Sequence, residues 1–168
     1  MNPGFYIILT AQFLSALADN ALLFAAIALL KDLSSPAWHT PVLQQFFIFS
    51  YIVLAPFVGA FADSLPKGRV MFISNIVKLA GCIAMLTGIH PLLAYGLVGL
   101  GAAAYSPAKY GILTEYLPAS QLVKANSWME GLTVAAIVLA AVVGGVLISP
   151  GATAPILHGL DIPLIDSA

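Results

Sequence analysis

The chain has 168 residues, of which 61% are apolar and 8% charged, and its formal net charge is −1. A soluble domain carries about a quarter charged residues, so a water-coated globule is excluded, and six Lys and Arg offer nucleic acid no basic face. The single cysteine, Cys82, excludes an internal disulfide and a cysteine-based zinc site.

With a mean hydropathy of +1.00, the chain breaks into apolar runs long enough to cross a hydrocarbon core of about 30 Å. The first predicted helix covers residues 5–30. The opening "MNPGFYIILT" has no Lys or Arg ahead of that run. The run is also longer than a signal-peptide core, so it reads as a retained helix. Within "AQFLSALADNALLF" it carries Asp19 and Asn20. The connector "KDLSSPAWHTP", with Pro36 and Pro41, leads to a second helix over 42–62. A charged turn, "DSLPKGR", leads to a third over 70–89, and the tight "HP" to a fourth over 92–113. The polar link "TEYLPASQLVKA", with Pro118, precedes a fifth over 126–149. The fold class is therefore all-α, a polytopic transmembrane helical bundle over 1–149. Residues 150–168 form a proline-bearing tail too short to span.

Orientation follows from charge. Lys67 and Arg69 fall between the second and third helices, and Lys109 and Lys124 fall at the connection of the fourth and fifth. Cytoplasmic loops collect Lys and Arg, which places the N-terminus in the cytoplasm and the tail outside. His39, His90 and His158 fall in predicted loops and read as solvated, and Cys82 as a small packed residue. No G-x-x-x-x-G-K and no H-E-x-x-H is present. None of the histidines has an Asp five positions later, as glycerolipid acyltransferases require. No enzymatic activity, metal or cofactor is expected.

The informative residues are ionisable groups where the neighbours are apolar. A charge at a helix centre costs about 2.5–3.5 kcal/mol on insertion scales, while each Leu, Ile or Phe returns about 0.3–0.6. The thirteen such residues in 5–30 let the helix insert despite Asp19, but nothing in that balance explains the carboxylate. Gln12, Ser15 and Asp19 follow i, i+3, i+7 spacing and share one face with Ala16. Ser74, Asn75 and Lys78 lie within a turn of the third helix. Tyr95, Gly99, Ser106 and Lys109 stack along the fourth, and Asn126, Glu130 and Thr133 along the fifth.

Depth arithmetic at 1.5 Å per residue puts Lys109 about 26 Å below the outer start of its helix, and Glu130 about 6 Å from the inner start of the next. A Lys109–Glu130 ion pair is expected. Two readings stand for each charge: Lys78 and Lys109 either snorkel or face a passage, and Glu130 either sits in the headgroup layer or lines that passage. Asp19, too short to snorkel, is either protonated between helices or a pathway residue. Ala136, Ala140 and Gly144, with Ala141 and Gly145, form a small-residue stripe for close helix packing. The G-x-G-x-x-A within "GLVGLGAAAYS" follows no strand and reads as packing too.

The turn "GAFADSLPKGR" resembles the signature of the major facilitator superfamily, roughly G-x-L-A-D-R-x-G-R-K-R. Gly59, Ala62, Asp63, Lys67 and Arg69 match; Phe61 replaces Leu, and Ser64, Pro66 and Gly68 depart. Together with "AQFLSALADNALLFAAIALLK", "GLVGLGAAAYSPAKYGIL" and "LVKANSWMEG" in matching order, the chain resembles the bacterial lysophospholipid transporters of that superfamily. The resemblance implies a carrier of about twelve helices in two halves, with this chain supplying about five spans of the N-terminal half. It implies inward movement of lysophosphatidylethanolamine and lysophosphatidylglycerol across the inner membrane of Gram-negative bacteria. Re-acylation by an acyltransferase/acyl-carrier-protein synthetase would follow. By the same resemblance Asp19 and Lys109 match positions that line the cavity; Lys78, Glu130, Gln12 and Asn20 are the further pathway candidates from the residues themselves. Gly59, Asp63, Lys67 and Arg69 form a cytoplasmic gating turn. Lys109 or Lys78 would meet the phosphate, and Asp19 the amine or a coupling cation. The chain is expected to be truncated and unable to transport by itself. A drug/proton antiporter half, or a small oligomeric membrane scaffold, are the competing classes.

Overall fold

A computed structural model describes residues 3–147 as five helices: α1 (Pro3–Asp32), α2 (His39–Ser64), α3 (Lys67–Leu86), α4 (Pro91–Tyr116) and α5 (Ala119–Leu147). No strand occurs among the described residues. The tail 150–168, and the last two residues of the expected fifth span, lie outside them.

Backbone chemistry sets the helix ends. α1 stops where Ser34 takes a left-handed φ of 50° and Ser35 N–H returns to the Leu30 carbonyl at 3.0 Å, an arrangement that satisfies terminal carbonyls. α3 stops the same way, earlier than the expected residue 89. Gly88 has φ 86°, and Ile89 N–H reaches the Ala84 carbonyl at 3.0 Å. At the start of α4, Pro91 needs no N–H partner, and His90 Nδ1 accepts from Leu92 N–H at 3.3 Å.

Two expected connectors are shorter than the polarity of their residues suggests. The link between α4 and α5 is only Leu117 and Pro118. Leu117 is extended (φ −125°, ψ 143°), as a residue before proline must be, and α5 begins at once. Likewise Lys67 and Arg69 belong to the first turn of α3, leaving Leu65 and Pro66 as the turn proper. Polar residues there continue a helix past the apolar layer rather than ending it. His39 is also not in a loop. It opens α2, half-buried, with its ring 4.1 Å from Trp38 and 5.5 Å from His90.

α4 is the axis of the bundle. Its glycines let neighbouring backbones close in on two sides. A Cβ on Gly99 would lie 2.9 Å from Phe47 Cα on α2, and one on Gly101 would lie 2.6 Å from the Ser74 carbonyl on α3. Gly81 on α3 meets the Ala94 carbonyl at 2.9 Å in the same sense. The dinucleotide look-alike is thus a packing surface. α5 lies mainly on α1 through Ala136, Ala140 and Gly144, all buried, with Gly144 against Phe24.

Four helices are long and apolar enough to cross a membrane: α1, α2, α3 and Ala119–Val146 of α5. α4, with 26 residues, has the length but is diluted by Gly, Ala and Tyr, because its neighbours are helices rather than lipid. The outward faces carry large apolar side chains such as Ile52, Phe57, Phe72 and Leu86, the arrangement a hydrocarbon solvent favours.

Two apolar clusters fill the bundle. One gathers Phe5, Leu9, Val70, Ile112, Leu113 and Met129 at the end holding Lys67, Arg69 and Lys124. The other gathers Ala26, Leu30, Leu43, Met85, Tyr95 and Val98 at the opposite end. The polar groups of α1, α3 and α4 lie between them.

Candidate functional site

Between the clusters is a cavity of about 440 Å³. α1 lines it with Gln12, Ser15, Asp19 and Asn20, the stripe that helical spacing places on one face. Lys78 enters from α3, Tyr105, Ser106 and Lys109 from α4, and Thr133 from α5. α2 closes it with Gln44, Phe47 and Tyr51. Phe47 stacks on Tyr95 at 5.2 Å and meets Tyr51 at 5.6 Å, making that wall aromatic.

Asp19 finds its partner on α3. Lys78 Nζ donates to Asp19 Oδ2 at 2.6 Å and to Ser15 Oγ at 2.9 Å, and sits 4.7 Å from the centre of the Tyr105 ring. The three N–H groups of an ammonium are thereby matched to a carboxylate, a hydroxyl and a π face. Ser15 Oγ in turn donates to Asn75 Oδ1 at 3.3 Å. The close approach at Gly101, whose Cβ would fall 2.7 Å from Lys78 Cγ, lets the Lys78 stem lie against α4. Asp19 Oδ1 enters none of the hydrogen bonds among the described residues, and the side chain keeps 19% of its exposure. One carboxylate oxygen therefore holds Lys78 and the other is open to the cavity.

The second pair joins α4 to α5, as the depth arithmetic expects. Lys109 Nζ lies 3.0 Å from Glu130 Oε1, which also accepts from Tyr110 Oη at 2.7 Å. Lys109 lies 4.9 Å from the Tyr110 ring centre. Lys109 lines the cavity; Glu130 does not, and its side chain is 52% exposed. Glu130 is thus a counter-ion behind the wall rather than a wall residue. Lys109 donates one hydrogen bond among the described residues and faces the Tyr110 ring, so, unlike Lys78, it keeps one N–H group for an anion.

The other expected residues divide. Gln12 ties α1 to α5, its Nε2 donating to Thr133 Oγ1 at 3.1 Å. Asn20 folds onto its own helix, donating to the Ala16 carbonyl at 2.8 Å, while lining the cavity. None of Gly59, Asp63, Lys67 and Arg69 lines it. Lys67 pairs with Asp63 at 2.6 Å, donates to the Ala62 carbonyl at 2.8 Å and lays its stem on Gly111. Arg69 is exposed, and a Cβ on Gly59 would meet nothing within 4 Å. The α2 wall was missed by sequence reasoning because it holds no charged group. Its signal is the i, i+3, i+7 spacing of Gln44, Phe47 and Tyr51. No group of His, Cys, Asp and Glu able to hold a metal occurs among the described residues.

A family model described as Major Facilitator Superfamily matches residues 8–157. The lysophospholipid transporter LplT of Yersinia enterocolitica serotype O:8 is 58% identical over 147 residues, 88% of this chain and 36% of the relative. That of Yersinia pestis strain Pestoides F is 58% identical over 140 residues, 83% of this chain and 34% of the relative. The chain spans about a third of the length of the curated relatives it matches.

Proposed function

The chain belongs to the major facilitator superfamily, and from that membership we propose that the protein carries lysophospholipids inward across the bacterial inner membrane for re-acylation. The N-terminus is cytoplasmic, on the side where Lys67, Arg69 and Lys124 gather. The protein is a carrier and not an enzyme, and its product goes to an acyltransferase/acyl-carrier-protein synthetase. The relatives named lysophospholipid transporters support this reading.

One observation carries it: a cavity of about 440 Å³ with an aromatic wall that exposes a free carboxylate oxygen on Asp19 and a spare donor on Lys109. A lysophospholipid offers one acyl chain, an anionic phosphate and, in the ethanolamine form, an ammonium. Lys109 meets the phosphate and Asp19 Oδ1 the ammonium. Lys78, saturated by Asp19, Ser15 and Tyr105, holds Asp19 in place. Asp63, Lys67 and Arg69 act at the cytoplasmic face and not on the headgroup.

The test is uptake of labelled lysophosphatidylethanolamine by cells carrying the gene at its natural length, beside efflux of a panel of cationic drugs. Uptake with no efflux is expected, and Asp19→Asn or Lys109→Gln should lower uptake at least tenfold. Drug efflux without lipid uptake would refute the reading.

A further inference from the structure

Two polar atoms in the cavity wall take part in neither ion pair and have no partner. Gln12 Nε2 donates to Thr133 Oγ1, whose own proton goes to the Met129 carbonyl at 2.8 Å. Thr133 therefore has only lone pairs to offer, so the Gln12 amide must present its NH₂ to it. That turns Oε1 away from α5, where it is left without a hydrogen bond although Gln12 is only 5% exposed. On α4, Tyr105 shares Lys78 with Ser15, one turn along from Gln12, and is also 5% exposed. Its Oη lies beside Ser15, whose oxygen is already engaged by Lys78 and Asn75, and makes no hydrogen bond of good geometry. An orphaned buried polar group costs about 1–3 kcal/mol, so an acceptor and a donor held dry beside one cavity call for a ligand that supplies both counterparts.

We propose that Gln12 and Tyr105 form the subsite for the free glycerol hydroxyl of a one-chain phospholipid. The hydroxyl donates its proton to Gln12 Oε1, while the Gln12 NH₂ stays on Thr133, and accepts from Tyr105 Oη–H. The inference rests on the lysophospholipid reading above and adds what that reading lacks. Phosphate and ammonium are the same in one-chain and two-chain lipids, so Lys109 and Asp19 cannot tell them apart. The hydroxyl is the group by which they differ. In a diacyl lipid an ester replaces it, leaving no proton for Gln12 Oε1 and adding a second chain at the same point. A site built around a ligand hydroxyl rejects the analogue lacking it because its own buried groups are then left unpaired.

The experiment compares uptake of 1-acyl lysophosphatidylethanolamine with its 2-deoxy analogue, in cells carrying the gene at its natural length. The ethanolamine form is chosen because its headgroup adds no other hydroxyl. The unaltered protein should prefer the hydroxyl-bearing lipid at least tenfold, about 1.4 kcal/mol. Gln12→Leu and Tyr105→Phe should each cut that preference below about threefold, whatever they do to total uptake. If a variant takes up neither lipid, the ratio of Kd values for the two lipids, measured on the purified protein in nanodiscs, decides by the same criterion. Equal uptake of both lipids by the unaltered protein, or variants that keep the full preference, would overturn the subsite alone. Uptake of neither by the unaltered protein would overturn the lysophospholipid reading and the subsite with it.

Discussion

Replacing Lys78 by Met removes the ammonium that holds Asp19 at 2.6 Å and Ser15 at 2.9 Å, and strands a part-buried carboxylate without its counter-charge. Breaking a buried pair from one side costs about 3–5 kcal/mol. The Asp19 side chain keeps 19% exposure towards the cavity, so the lower end, about 3 kcal/mol, is expected. Asp19→Asn leaves Lys78 charged with only Ser15 and the Tyr105 ring, and should cost a similar amount. If the two act as a pair, the double variant leaves no stranded charge. Its loss should fall about 2–3 kcal/mol short of the sum of the singles, near the top of the range for coupled neighbours. Equilibrium unfolding of the purified protein in mixed micelles, titrated with a denaturing detergent, measures all three. Additive losses would show that Lys78 and Asp19 stabilise the bundle independently, and the assignment of Lys78 as the group that holds Asp19 would fall with them.

Lys109→Glu and Glu130→Lys should each abolish most lipid uptake, and the exchanged double should recover part of it. Recovery stays partial because Tyr110 Oη, which now donates to Glu130 at 2.7 Å, would meet an ammonium; a double no better than the singles removes the pair from the mechanism. Gly101→Ala drives a methyl to 2.6 Å from the Ser74 carbonyl and should destabilise the bundle by about 1–3 kcal/mol. Gly59→Ala, with open space around it, should change stability by less than about 0.5 kcal/mol. Thermal unfolding of the two variants side by side checks this. Gly88→Ala places a side chain at φ 86° and should cost about 1 kcal/mol, read in the same melting series.

The helices were legible because the apolar runs are long; hydropathy is strongest for α1, α2, α3 and α5, while α4 shows as a helix-length run between the "HP" turn and Pro118. Their ends were less legible. Lys67, Arg69 and the residues around Pro118 look like loop by polarity, yet Lys67 and Arg69 open α3 and only Leu117 and Pro118 separate α4 from α5. Helices emerging from the apolar layer continue into water until a backbone feature stops them, such as Ser34, Pro66, Gly88 or Pro118. Of the two charge pairs, Lys109–Glu130 could be foreseen because a short connection fixes both depths. Lys78–Asp19 could not: helical spacing tells which residues share a face but not which helix that face meets. The match is set by how closely α3 approaches α4 at Gly101, a distance that no periodicity records.

The glycine contacts have a mechanical consequence. Where α2, α4 and α3 touch backbone to backbone, no flexible side chain intervenes to absorb sliding, so these three form a stiff slab. α1 and α5 make a second, thinner plate, held to each other by Ala136, Ala140 and Gly144. Both charge pairs cross the seam between slab and plate, one at α1–α3 and the other at α4–α5. Between the two apolar clusters that also bridge the seam, at the level of the cavity, the ionic ties are what shear would stretch, so a headgroup that borrows Lys109 or Asp19 loosens the joint there.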